Sequence, residues 1–131
     1  MATVLNPKKL GVIEVESNSK PLTHIATFLQ QNLGQKYTAY LSGLNDPKEV
    51  GAWARGDAKP RDTKAMRLRY AYRAVRMILE TYDAETAKAW FFGANTRLDD
   101  KAPAYLLRHS ESPDELMPLI PASRAFAGSA D

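Results

Sequence analysis

From Pro21 onward the apolar positions recur at three- and four-residue spacing, the signature of helices with one buried face. Leu22, Ile25, Ala26 and Leu29, with Phe28 beside them, predict a first helix that Gly34 stops. A second segment, QKYTAYLSGL, is closed by Gly43 and the Asn45-Asp46 turn. The run DPKEVGAWARG then reads as a short helix: Asp46 is a candidate N-cap, Pro47 suits the first helical position, and Glu49 stands where a capping box places it. Val50, Trp53 and Ala54 fall on one side of that helix and Lys48, Ala52 and Arg55 on the other, so one face is anchored and one offered. The first twenty residues keep no period beyond an alternation from Val12 to Glu16, which predicts a flexible arm or a single strand paired with a second subunit.

Beyond Pro60 a long helix is predicted from Asp62 or Thr63 to Tyr82. Leu68, Ala71, Val75, Ile78, Leu79 and Tyr82 form its core stripe, and Arg69, Arg73 and Arg76 lie opposite. Asp83 caps a further helix in which Ala87, Trp90 and Phe91 cluster before Gly93; three consecutive aromatics cannot all point inward from one helix. A short helix follows around PAYLLRH, and Pro118 and Pro121 predict a kink or two short turns near the end. The fold class is therefore all-α: an arm at 1–20, a helix-turn-helix unit at 21–62, a long helix and C-terminal helical region at 63–127, and a tail at 128–131.

Composition narrows the function. The chain has 131 residues, 44% hydrophobic, enough for one modest core. It has no cysteine, and His24 and His109 lie far apart, so a metal or thiol site is not expected. No segment approaches the roughly 20 apolar residues needed to cross a bilayer. The expectation is a soluble cytoplasmic protein without cofactor. No phosphate-binding glycine loop or activated nucleophile is legible, and Asp99-Asp100 reads as surface charge, so the chain is not expected to be an enzyme. The net charge of +3 hides an asymmetry: residues 48–76 carry nine basic and three acidic side chains, while residues 77–131 carry five and nine. A basic middle suggests a polyanionic partner.

Double-stranded DNA is the candidate. Arg55 suits a bidentate contact to guanine, Ala52 a thymine methyl, Gly51 close approach, and Glu49, if not used in the capping box, a cytosine amine. Lys48, Lys59, Arg61, Lys64 and Arg67, with Gln35, Lys36 and Thr38 at the start of the second helix, suit phosphates.

Three blocks, DPKEVGAWARGDAKPR at 46–61, RLRYAYRAVRMIL at 67–79 and AWFFGANTRLDDKAPAYLL at 89–107, resemble the helix-turn-helix proteins of the Xre/MbcA/ParS antitoxin type, common in actinobacteria and their phages. Thr96 stands where that family's pattern has Pro, and the turn before the third helix is a residue longer. The resemblance implies operator binding by the first half. It implies dimerisation, or capture of an NAD-consuming RES-type toxin, by the second, for which Trp90, Phe92, Asn95, Leu98 and Tyr105 are the candidate partner-binding residues. The expected function is a sequence-specific DNA-binding regulator, a phage-immunity-type or autoregulating repressor acting as a homodimer; the alternative is an antitoxin whose C-terminal half neutralises such a toxin.

Overall fold

The computed structural model describes residues 5–129. Among these the chain is all-α, with helices α1 (Pro7–Ser19), α2 (Leu22–Leu33), α3 (Gln35–Ser42), α4 (Lys48–Arg55), α5 (Asp62–Leu79), α6 (Ala84–Phe92), α7 (Pro103–His109) and α8 (Leu119–Ala127), two short 3₁₀ turns, and no strand. None of the described helices is long and apolar enough to cross a membrane.

The centre is α5, against which α1, α2, α3, α6, α7 and α8 all pack. Its predicted stripe is buried at Leu68, Ala71, Val75 and Ile78, and Tyr72, Ala74 and Met77 are buried too, as a helix surrounded by others requires. The helix stops at Leu79 rather than Tyr82, because Thr81 and Tyr82 both donate to the Ile78 carbonyl in a closing turn.

The expected arm or strand at the N-terminus is instead α1. Asn6 caps it, accepting from the Lys9 N–H at 2.8 Å, and Pro7 takes the first helical position. The alternation misled because α1 docks with little apolar surface: Ile13 is fully buried while Val12 and Val15 are exposed. Polar contacts to α5 do the rest. Arg69 donates to the carbonyls of Ser17 and Lys20 at the end of α1, Arg73 faces Glu14 at 3.7 Å, and Arg76 pairs with Glu16. The arginine face predicted to lie away from the core is therefore covered. Residues 1–4 of that segment lie outside the described residues, as do residues 130 and 131 of the tail.

The other caps follow the local signals. Gly34, Gly43 and Gly56 end α2, α3 and α4 with positive φ. Asp83 accepts the Thr86 N–H at the start of α6, which holds its carboxyl below the ordinary range; its contribution to stability is present above that range and fades as acid protonates it through the lowered value. Phe91 is fully buried while Trp90 and Phe92 are half-buried, the division expected of three adjacent aromatics. Pro118 and Pro121 do not kink the C-terminus. They fall at the cap and first turn of α8, where a missing N–H costs nothing, and the helix is continuous.

One contact joins elements far apart in sequence. The guanidinium of Arg67, 7% exposed, donates to the Ser42 carbonyl at 2.9 Å and to the Ser110 carbonyl at 3.1 and 2.7 Å. Those carbonyls end α3 and cap α7, so two negative helix termini share one cation. Gly43 is required there twice, because its φ is +97° and because a Cβ would collide with Arg67. Arg67→Met keeps the volume but orphans both carbonyls, and is expected to lower stability by about 2–4 kcal/mol in urea denaturation. Arg67→Lys is expected to recover less than half, since one ammonium cannot span both acceptors.

Candidate nucleic-acid interface

The turn between α3 and α4 is built from both its ends. Gly43 adopts the left-handed conformation, Leu44 tucks into the core at 8% exposure, and the Asp46 carboxylate accepts the Lys48 N–H at 3.0 Å to start α4. No capping-box bond returns from Glu49, which is exposed and unpaired among the described residues. From outside, α7 contributes Arg108. Its guanidinium donates to the Tyr40 carbonyl at 2.7 Å, the Leu44 carbonyl at 3.2 Å and the Asn45 side chain at 3.2 Å, while lying 4.7 Å over the Tyr40 ring. The turn is therefore a tertiary object as much as a local one.

Helix α4 rests chiefly on α2. Val50 and Trp53 are buried, as expected, with Ala54 half-buried beside them. Its opposite face leaves Lys48, Glu49 and Arg55 exposed and Ala52 half-buried. Arg55 pairs with Asp57 at 2.9 Å, but both side chains are 65% exposed, so solvent screening leaves the pair weak and the guanidinium easily redirected. Gln35 and Lys36 are exposed at the start of α3; Gln35 reaches over Gly51 of α4 and donates to the Gln30 side chain at 3.0 Å. Lys59 and Arg61 are exposed just beyond α4, and Lys64 is half-buried on the first turn of α5. None of Lys36, Lys48, Lys59, Arg61 and Lys64 has an acidic partner among the described residues.

Three expected DNA contacts are not available. Arg67 is the buried clamp between α3 and α7, three residues past Lys64 and turned inward. Thr38 is fully buried on the inner face of α3. Gly51 is buried beneath polar side chains: a Cβ there would lie 2.8 Å from Gln35 Nε2 and 3.1 Å from a terminal nitrogen of Arg55. The space above Gly51 is filled by the ends of the Gln35 and Arg55 side chains, so the close approach there is within the fold.

Of the expected partner-binding residues, Leu98 is 4% exposed in the core and Asn95 spends its side chain accepting the Arg97 N–H at 2.9 Å. Trp90 stacks on Phe126 with ring centres 5.9 Å apart. Phe92 packs on Tyr37 at 4.3 Å and Tyr105 is 44% exposed, while Trp90 and Asn95 remain partly exposed at a separate cleft beside Phe126. The residues that the pattern did not reveal are Gln30, Tyr37, Tyr40 and Arg108. The aromatics of α3 sit at helical spacing with Lys36 and read as ordinary core, and nothing near Arg108 in the chain announces a turn more than sixty residues earlier.

No family model, no curated protein and no solved structure matches this chain.

Because the atoms around Gly51 are the ends of flexible side chains, Gly51→Ala is expected to move Gln35 and Arg55 and still to raise stability by about 0.5–1 kcal/mol through helix propensity, measured as the shift in urea midpoint. A loss of stability would mean that the α3–α4 contact is rigid.

Proposed function

We propose that this protein is a sequence-specific DNA-binding regulator that lays α4 in the major groove. The observation that carries the reading is the two-sidedness of α4. Val50 and Trp53 are buried, with α2 as the chief neighbour of α4, whereas Lys48 and Arg55 are exposed about two turns apart on the other face. A short, rigidly seated helix with a polar outer face and flanking lysines meets the two requirements of groove reading: phosphates set the register and base edges give the sequence. On this reading Arg55 and Ala52 face base edges, and Lys36, Lys48, Lys59, Arg61 and Lys64 face phosphates.

The charge balance supports it in a more selective form than composition suggested. Four of the nine basic residues between 48 and 76, namely Arg67, Arg69, Arg73 and Arg76, are engaged inside the fold, leaving Lys48, Arg55, Lys59, Arg61 and Lys64 for a partner. On this reading, repression follows from occupying an operator. The toxin-binding alternative draws less support, because Leu98 and Asn95 are committed to the fold.

The test is fluorescence anisotropy on the DNA upstream of the protein's own gene, against scrambled DNA, across a salt series. Selective binding whose logarithm falls with log salt at a slope of about −4 to −5 is expected from five phosphate contacts. Arg55→Ala should lose about 1–3 kcal/mol on the operator and little on scrambled DNA; Lys59→Ala should weaken both alike and make the slope shallower by about 1. Equal losses for Arg55→Ala on the two DNAs would remove Arg55 from base readout.

A further inference from the structure

Beside α3, on the side toward α6 and α7, lies a groove of about 660 Å³, within the range of small-molecule sites. Its walls are aromatic: Tyr37 and Tyr40 from α3, Phe92 from the end of α6 and Tyr105 from α7. Lys36 and Lys101 also line it, and no acidic side chain does. We propose that this groove binds a small aromatic anion, a planar ring carrying a carboxylate or phosphate.

Three observations converge on that class. The walls are preformed rather than loose: Tyr37 and Phe92 pack at 4.3 Å, Tyr40 lies 6.0 Å from Phe92 and is gripped by Arg108, and Tyr105 rests on His109 at 4.2 Å. Aromatic surface is nonetheless open, with Tyr37 38% and Tyr105 44% exposed, and ring faces at such a site stack best on another ring. The charge is single-signed. Lys36 and Lys101 have no acidic partner among the described residues, whereas Lys88, 5.7 Å from the Tyr37 ring centre, is already paired with Glu85 at 3.4 Å and is not counted. An anionic ring can form charge-assisted contacts with Lys36 and Lys101 that a neutral ring cannot. Lys36 is also proposed above to meet a phosphate, so on that reading the occupant withdraws one phosphate contact and weakens operator binding.

Binding is read on the free full-length protein by isothermal titration calorimetry with indole-3-carboxylate, alongside neutral indole and the non-aromatic cyclohexanecarboxylate. Saturable one-site binding tighter than about 1 mM is expected, at least about tenfold weaker for both control compounds. Tyr105→Ala and Lys101→Glu alter exposed side chains and should each weaken binding about tenfold with unchanged circular dichroism, while Lys8→Glu, the same charge change on α1, should leave it intact. No saturable binding, equal affinity for indole, or insensitivity to both groove variants overturns the proposal. Because DNA is absent from this titration, a protein that takes the carboxylate and binds no operator supports the groove and defeats the DNA reading. With operator present, saturating carboxylate should weaken DNA binding; unchanged affinity would overturn the coupling of the two ligands through Lys36.

Discussion

The fold depends on guanidinium groups seated on the C-termini of helices. An α-helix ends with unpaired carbonyls and a partial negative charge, and α1 and α3 have no basic residue in their own last turns. Distant arginines supply what is missing. Arg69 reaches the end of α1, Arg108 the end of α3, and Arg67 the ends of α3 and α7 together. The planar fork of arginine suits this task because several carbonyls can be satisfied from one fixed geometry. Burying Arg67 is tolerable because two helix termini and the nearby Glu111 carboxylate, 3.4 Å away, face it.

These contacts make the chain less divisible than its charge pattern implies. A basic first half and an acidic C-terminal third suggest separable modules, yet Arg108 on α7 pins the turn before α4, and Arg67 ties α3 to the residue that ends α7. The helix offered outward is thus positioned by the C-terminal region, and a displacement of α7 would be felt at the α3–α4 turn. The groove between α3 and α7 shares Tyr40 with this joint, since Arg108 donates to the Tyr40 carbonyl and lies over its ring.

The basic residues sort into those spent inside the fold and those left at the surface. In the sequence, Arg67, Arg69, Arg73 and Arg76 resemble the lysines and arginines that precede them. In the structure the first group is tied to carbonyls and carboxylates of other helices, whereas Lys48, Lys59 and Arg61 are exposed and Lys64 half-buried, none with an acidic partner among the described residues. Arginines dominate the inner set and lysines the outer. That division fits a fork needed for carbonyl capping and a flexible point charge that is sufficient for a phosphate.

By itself the sequence determined α2 to α7 closely, because their limits rest on signals within a few residues: Gly34, Gly43 and Gly56 at positive φ, the Asp46 and Asp83 side chains, and apolar spacing that puts Val50 and Trp53 on one face. It also determined which side of α4 is offered, apart from Gly51. Tertiary structure decided α1, whose single fully buried apolar side chain gives no readable period, and decided that Thr38 and Arg67 turn inward. It alone brought Tyr37 and Tyr40 against Phe92 and Tyr105. The physical reason is range: caps and periodicity act over one or two helical turns, but Arg67 and Arg108 find their acceptors 25 to 68 residues away, and no local pattern encodes which carbonyl a guanidinium will meet.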